Sequence, residues 1–365
     1  MTWFEFDQIG TAGSGYKLNS KPMVEMLLRI WRQLLQRPSI GIEDSFFDLG
    51  GSSSLADTMF AEIARECGRE LPSATILCAP TIAALASLLE QPTLPRFSPF
   101  VPLSAGSERP PILIAHGLAG QASFSKLAQY FQTGHPIYGI QARGVDGIEK
   151  PFDRVEDMAQ YYIDALTDVQ SHGPYILIGY SFGGLVALEM AQRLSRNGEN
   201  IGLLVLVDTY PHPHFLSKPQ RVRLIARRIL RHLQEMKKMP IRDATTCFLH
   251  GLEHRLQMAG LRTPGKSLPP AASPLSFAQT TERVKRSAYV ALGCYRPQFY
   301  RGKIKFVSAK SNSYFPDDPT AVWGRLADVV EVETVPGDHL DMVSAHFESL
   351  AAALTRYVKD TFPEK

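Results

Sequence analysis

A serine between two glycines, Ser181, carries the clearest chemical signal in the sequence. It lies in Gly179-Tyr-Ser-Phe-Gly183, after the apolar run 175–178 and before the helix-forming run 185–194. A G-x-S-x-G pattern between a strand and a helix is typical of a nucleophile elbow, whose tight turn lifts the serine hydroxyl clear of the sheet. Glycine on each side lets the backbone pass without a Cβ clash. The alternative is an ordinary glycine-rich turn.

The favoured partner of this serine is His339. A nucleophilic serine needs a base that accepts its proton and an acid that orients the base. His339 lies in the loop 335–343, after a predicted strand over 329–334. His116 belongs to a different turn. Four other histidines lie in a polar insertion and are disfavoured: His212, His214, His250 and His254.

Several aspartates compete for the role of the acid. Asp208 directly follows a predicted strand, at the strand end where catalytic loops collect. Asp317 and Asp318 follow the next strand in a looser loop, and Asp338 adjoins His339 in the chain. We favour Asp208, with Asp317 or Asp318 as the main alternatives. A purely structural role for Asp208 would be that of a helix cap or turn former.

Two backbone N–H groups should stabilise the negative oxygen that forms when the serine attacks a carbonyl. The residue after the nucleophile, Phe182, is expected to supply one of them. The other should come from the glycine-rich turn 116–120, and Leu118 is the favoured donor.

Alternating strands and helices are predicted to position these residues. Strands alternating with helices predict a mostly parallel sheet covered on both faces, which is the α/β-hydrolase architecture. In that architecture the serine, the acid and the histidine follow in this chain order. Short apolar runs predict strands over 111–115, 137–140, 175–178, 203–207, 303–307 and 329–334, with helices over 155–170 and 185–194.

A small helical unit precedes this domain. Residues 1–20 are polar and indicate a flexible tail, whereas residues 21–92 contain apolar residues at helical spacing. Within this unit nine acidic side chains outnumber six basic ones. At about 70 residues it is near the lower size at which a single core is stable. Helices are predicted over 23–35, 52–64 and 80–89.

The centre of the unit, DSFFDLGGSSSLA over 44–56, resembles the carrier-protein domain of nonribosomal peptide and polyketide synthetases. The resemblance implies an all-α four-helix bundle with 4′-phosphopantetheine attached to Ser53, and a phosphopantetheinyl transferase as a partner. Ser54 stands where the family usually has leucine, so Ser52 and Ser54 remain lesser candidates. A helix N-terminus suits a phosphodiester because its free N–H groups and dipole favour negative charge. The alternative is that Ser52 or Ser53 only caps the helix.

The stretches 116–117, 179–184, 203–210 and 337–342 resemble the thioesterase domain that terminates such synthetases. The resemblance covers residues 109–361, and its position for the acid supports Asp208. It implies that Ser181 takes an acyl or peptidyl chain from the carrier arm and that hydrolysis or cyclisation releases the product. Upstream synthetase modules would supply that chain.

Two other functions compete with this one. A carrier-linked module could bind or transfer the acyl chain without net hydrolysis, although the complete set of triad candidates disfavours an inactive domain. A general lipase or esterase is disfavoured by the fused carrier. Neither the acyl group nor the choice between a peptide and a polyketide pathway follows from the sequence. The sequence also leaves open whether the chain is a free-standing didomain or a segment of a larger synthetase.

Two connecting segments complete the predicted organisation. The proline-rich residues 93–108 predict an extended linker. The long insertion 211–300 corresponds in the resembled family to a helical lid over the acyl pocket. An arginine-rich helix is predicted within it, and we hypothesise that its basic face guides the acidic carrier. A solvated helix face is the alternative. The arginines concerned are Arg227, Arg228 and Arg231.

Bulk composition limits the remaining possibilities. A net charge of +3 over 365 residues is too small to indicate nucleic-acid binding by itself. No apolar run reaches the roughly 18 residues expected of a membrane span, and no secretion signal is recognised at the N-terminus. The cysteines show no metal-binding or disulfide spacing, so we expect no metal and a cytoplasmic location. They are Cys67, Cys78, Cys247 and Cys294.

Overall fold

The computed structural model describes residues 21–91, 97–107, 109–118, 124–224, 226, 276–311 and 318–363. Within these ranges a helical unit comes first and an α/β unit follows. The helices have the following bounds: α1 Lys21–Leu35, α2 Ser53–Cys67, α3 Ile82–Glu90, α4 Ser125–Gln129, α5 Val155–Ala165, α6 Phe182–Arg196, α7 Phe277–Cys294, α8 Pro319–Trp323, α9 Asp341–Ser344 and α10 Phe347–Thr361.

The helical unit packs three α-helices and a short 3₁₀-helix, Ser73–Leu77, around one apolar core. Trp31 of α1 is fully buried and lies edge-on to Phe46, with 5.1 Å between their ring centroids. Helix α2 ends at Gly68, whose φ of 71° is left-handed and suits a residue without a side chain. The predicted helical bundle is confirmed, with a 3₁₀-helix as its third helix.

One sheet forms the centre of the α/β unit. Among the described residues it has seven strands in the order β1-β3-β2-β4-β5-β6-β7, and every pairing except that of β1 is parallel. The predicted mostly parallel sheet is therefore confirmed. The strands are β1 Phe100–Ser104, β2 Ile112–Ala115, β3 Ile137–Ile140, β4 Tyr175–Tyr180, β5 Ile201–Val207, β6 Tyr300–Ala309 and β7 Ala327–Val335.

Strand β1 lies within residues 93–108, where the sequence predicts only an extended linker. It pairs antiparallel with β3 at the edge of the sheet. Pro102 is tolerated there because an edge strand leaves half of its N–H groups without a ladder partner. The proline content that indicated a linker therefore also fits an edge strand, and this part of the linker prediction is wrong.

Both faces of the sheet are covered by helices. Helices α5 and α6 pack against one face, and α4 and α10 pack against the other. The order of the strands reverses at β2, since β3 lies on one side of it and β4 on the other. Ligands of open α/β sheets bind beyond the carboxyl ends of the strands at such a reversal. The loops that follow β2 and β4 meet there.

The insertion 211–300 is described at its two ends. Residues 218–224 are helical, and α7 forms the last part of the insertion. The predicted basic face of Arg227, Arg228 and Arg231 lies outside the described residues. Within the described ranges, none of the helices is both long and apolar enough to cross a membrane.

Candidate active site

Ser181 stands at the sharp turn between β4 and α6. Its φ of 55° and ψ of −120° are strained for a residue with a side chain. The backbone N–H of Ser181 donates to the carbonyl of Val207 at 2.8 Å, so the neighbouring strand β5 stabilises the turn. The hydroxyl group is thereby lifted beyond the end of the sheet.

Close backbone contacts explain the glycines around this serine. A Cβ on Gly179 would lie 2.3 Å from the Cα of Gly184, and a Cβ on Gly183 would lie 2.1 Å from the carbonyl oxygen of His116. Both distances are far below a van der Waals contact. The elbow therefore requires glycine because other backbone segments occupy the space of the side chain.

The three predicted triad residues meet at the carboxyl ends of the strands. Nδ1 of His339 lies 2.7 Å from Oδ2 of Asp208, and Nε2 of His339 lies 3.0 Å from Oγ of Ser181. A carboxylate only accepts hydrogen bonds, so Nδ1 carries the proton of the neutral imidazole and Nε2 is free to accept from the serine. This is the arrangement that a general base requires.

Asp208 is held in a strained and fully buried position. Its φ is 43°, and its backbone N–H donates to the carbonyl of Val307 at 2.8 Å. The indole N–H of Trp323, on α8, donates to the carbonyl of the next residue, Thr209, at 2.9 Å. Strand β6 and helix α8 thus fix the turn that points the Asp208 carboxylate at His339. Trp323 was not singled out by sequence reasoning because its partner lies 114 positions away.

The rival aspartates have other partners. The carboxylate of Asp318 accepts from the N–H of Ala321 at 3.0 Å and caps α8. That of Asp338 accepts from the N–H groups of Leu340 and Asp341 at 2.8 and 2.9 Å, which shapes the loop around His339. Asp317 lies outside the described residues. Among the described aspartates named as candidates, Asp208 is the one hydrogen-bonded to the imidazole.

Tyr180, the residue before the serine, contacts His339 in two ways. Its hydroxyl donates to the carbonyl of His339 at 2.6 Å, and the two rings stack with centroids 5.0 Å apart and planes 18° apart. Phe124 packs edge-on against the tyrosine ring at 6.2 Å. Tyr180 therefore positions the imidazole. In the sequence, Tyr180 is marked only by its position before the serine in the G-x-S-x-G motif. Because the motif allows any residue there, it does not predict this role.

The two proposed oxyanion donors belong to the elements that border Ser181. Phe182 is the first residue of α6, where backbone N–H groups have no acceptor within the helix. Leu118 follows β2, and the backbone of Gly117 passes so close that a Cβ there would be 3.9 Å from the Cβ of Ser181. The turn after β2 thus borders the nucleophile.

His116 supports that turn from the protein interior. Its Nδ1 lies 2.5 Å from the carbonyl oxygen of Gly117, and its Nε2 lies 3.3 Å from the hydroxyl of Tyr162. Burial lowers the pKa of His116 to about 4, since the charged imidazolium loses its hydration. The neutral ring therefore donates from Nδ1 and accepts from the tyrosine.

The three serines at the start of α2, Ser52, Ser53 and Ser54, have different roles. Oγ of Ser52 accepts from the N–H of Leu55 at 3.3 Å and lies 3.0 Å from Oγ of Ser54. Ser52 is therefore the helix cap. Ser53 is the first residue of the helix, and its hydroxyl makes no hydrogen bond to another described residue. A serine at the start of a 15-residue helix that is not used as its cap fits the attachment of a phosphodiester.

No group of acidic, cysteine or histidine side chains suited to a metal ion is found in the described part of the chain.

Comparison with protein families identifies both units. Residues 110–357 match the thioesterase domain. The chain belongs to the thioesterase family. Residues 25–89 match the phosphopantetheine attachment site, so the helical unit in front of the thioesterase domain is a carrier domain.

The chain is similar to short parts of much longer proteins. The chain is 33% identical over 295 residues to a dimodular nonribosomal peptide synthase of Bacillus subtilis, covering 78% of this chain and 12% of that protein. It is 30% identical over 338 residues to malpibaldin synthetase of Mortierella alpina, covering 91% of this chain and 6% of that protein. The chain thus spans a small fraction of the length of these relatives.

A solved structure is similar over nearly the whole chain. It is a holo four-domain nonribosomal peptide synthetase bound to AMP and glycine, with a TM-score of 0.56 and 22% sequence identity. The similarity covers 97% of this chain and 27% of that one. At this identity it shows that the fold is shared.

Proposed function

We propose that this carrier–thioesterase pair releases an acyl or peptidyl chain from a phosphopantetheine arm on Ser53, through an acyl-enzyme on Ser181. The single observation that carries the proposal is the hydrogen-bonded series from Ser181 to His339 to Asp208, with distances of 3.0 and 2.7 Å. The family matches of the two domains support the proposed substrate class, a carrier-bound thioester.

The reaction follows from the proton positions in this series. Oγ of Ser181 attacks the thioester carbonyl while Nε2 of His339 takes the serine proton. The buried carboxylate of Asp208 stabilises the imidazolium that forms, and the N–H groups of Phe182 and Leu118 stabilise the oxyanion. The imidazolium then returns its proton to the departing sulfur, which leaves an ester on Ser181. Water, or an amine or hydroxyl of the chain itself, attacks that ester by the reverse proton transfers.

The carrier arm supplies only a thioester on a long tether. Within the carrier, Ser52 and not Ser53 caps α2, which supports Ser53 as the attachment residue. We further propose that the carrier domain spans about residues 21–92 and that the thioesterase domain extends to about residue 361, with the edge strand β1 as its first element.

Partners and location follow from this function. A phosphopantetheinyl transferase would modify Ser53, and synthetase modules of the kind present in the longer relatives would deliver the chain. We propose a cytoplasmic location. The free thiols of the described cysteines, Cys67, Cys78 and Cys294, are compatible with a reducing compartment.

Hydrolysis of a small acyl thioester, measured as the release of free thiol, tests the catalytic assignment. We expect Ser181→Ala to lose activity and Asp208→Asn to lower kcat by about four orders of magnitude, because an amide stabilises the wrong imidazole tautomer. Asp318→Asn serves as the matched control, since its carboxylate hydrogen-bonds to a backbone N–H group and not to the imidazole. Full activity of Asp208→Asn, or a loss in Asp318→Asn as large as that expected for Asp208→Asn, would refute the assignment.

A further inference from the structure

The carrier domain contacts the thioesterase domain through the helix that bears Ser53. Both carboxylate oxygens of Asp57, on α2, accept from the backbone N–H of Phe277 at 2.9 and 3.1 Å. Phe277 is the first residue of α7, so the carboxylate lies at the positive end of an 18-residue helix. The N–H of Phe277 in the thioesterase domain thus has a carboxylate of the carrier domain as its acceptor.

Apolar contacts continue this interface on both sides. Phe277 and Val284 of α7 are buried in the same apolar cluster as the core of the carrier. Ala142 and Val145, which follow β3, belong to that cluster as well. The contact between the domains is therefore a desolvated patch and not a single polar bond.

Two further polar contacts border the patch. The ammonium group of Lys126 lies 3.6 Å from a carboxylate oxygen of Asp48. The side-chain amide of Gln141 donates to the sulfur of Cys78 at 3.6 Å. The ion pair is partly exposed and contributes little to stability by itself. Both contacts restrict how the carrier is oriented on the patch.

The position of Asp57 relative to Ser53 relates this interface to catalysis. The two residues are four positions apart on α2, so they lie on the same face of the helix, one turn from each other. The face that carries the attachment serine is therefore the face that meets α7.

Helix α7 also contacts the helix that starts at the nucleophile. Tyr295, at the end of α7, donates its hydroxyl to Glu189 of α6 at 2.9 Å. Glu189 is buried and also accepts from Arg193 at 2.8 Å. Helix α7 thus contacts the carrier at its N-terminus, through Phe277, and contacts α6 at its C-terminus, through Tyr295.

We propose that Asp57 is a positioning residue that seats the carrier on the thioesterase domain by accepting from the N–H of Phe277, beside the capping box that Ser276 and Gln279 form at the start of α7, so that the arm on Ser53 is presented to Ser181. The proposal rests on the proposed function of the chain. It assigns the orientation of the carrier on α7, the closing helix of the insertion, to one carboxylate.

Two substrates separate this role from a role in folding or in chemistry. The first is an acyl chain loaded onto the full-length protein by a promiscuous phosphopantetheinyl transferase, and the second is the N-acetylcysteamine thioester of the same acyl group. We expect Asp57→Ala to slow release from the carrier about five-fold, the usual effect of losing one hydrogen bond. Turnover of the small thioester should stay at the wild-type rate. Asp57→Asn keeps one acceptor oxygen and should be affected less.

Glu62→Ala is the matched control because Glu62 lies on the same helix and pairs with Arg65 of that helix. It should behave as the wild type with both substrates. Hydrogen exchange gives a readout that is independent of chemistry, and the amide of Phe277 should exchange about five-fold faster in Asp57→Ala.

Two results would overturn the proposal. One is release from the carrier at the wild-type rate in Asp57→Ala, and the other is an equal loss with both substrates. Failure of the proposed function would be seen differently, as a wild-type protein that turns over neither substrate.

Discussion

Tyr180 shows how a residue that the motif leaves unspecified contributes to the site. It restrains His339 through its hydroxyl at the backbone and through its ring at the imidazole. The ring face also favours a positive charge on the imidazole, which forms during the reaction. Sequence reasoning identified Ser181, His339 and Asp208 because each follows a predicted strand. It missed Tyr180 as a functional residue because its contact joins positions 159 residues apart.

We expect Tyr180→Phe to lower kcat about five-fold, since it removes one hydrogen bond and keeps the stacked ring. Tyr180→Leu also removes the stacking and should lower kcat further. Steady-state turnover of a small thioester measures both effects. Tyr130→Phe, at a half-exposed tyrosine outside the site, is the control and should leave kcat unchanged. Wild-type kcat in Tyr180→Leu would show that the contacts do not position His339.

His116 makes a prediction about stability and pH. Its pKa is lowered to about 4 by burial, so the unfolded chain binds more protons than the folded one between pH 6.5 and 4. The neutral His116 therefore contributes its full stabilisation of the folded state above pH 6.5, and the free energy of unfolding decreases as the pH falls through this window. At pH 5 the loss amounts to about 2 kcal/mol.

The variant His116→Asn removes this titration and keeps a donor for the turn. It should therefore lose about 2 kcal/mol less stability than the wild type between pH 7.5 and pH 5. Urea unfolding of both proteins at the two pH values measures the difference. Equal losses in the two proteins would contradict a buried, neutral His116.

At the scale of elements, the strand ends determine where the chemistry takes place. Ser181 follows β4 and Asp208 follows β5. The backbone N–H of each residue donates to a carbonyl group near the end of the neighbouring strand. The parallel order of the strands was predictable from apolar runs. Strand β1 was not, because the prolines in and around it are typical of linkers, and its pairing with β3 is what shows it to be an edge strand.

Two helical glycines offer an element-scale test. Ala favours a helix over Gly by about 1 kcal/mol. Gly293 of α7 has open space around a new Cβ, so Gly293→Ala should stabilise the protein by about 0.5–1 kcal/mol. A Cβ on Gly183 would lie 2.1 Å from the carbonyl oxygen of His116. Gly183→Ala should therefore destabilise the protein by about 1–3 kcal/mol and lower turnover. Thermal unfolding compares the two, and stabilisation by Gly183→Ala would contradict the close packing of the elbow.

At the scale of the whole molecule, the carrier and the thioesterase domain share one chain. Tethering makes delivery of the acyl group an intramolecular step, so the carrier needs only a modest interface to reach the catalytic site at high effective concentration. The order of the two domains was predictable from two short motifs. The interface was not, because α2 and α7 meet across 220 positions and the sequence around Asp57 has no distinguishing pattern.

The most direct test of the account is intact-protein mass spectrometry of the full chain after an acyl-pantetheine has been loaded by a promiscuous transferase. Wild type, Ser53→Ala and Ser181→Ala would be followed over time. The account predicts that Ser53→Ala is never loaded, that Ser181→Ala keeps the acyl group, and that the wild type loses it while retaining the pantetheine arm. Release from Ser181→Ala at the wild-type rate, or loading of Ser53→Ala, would contradict it.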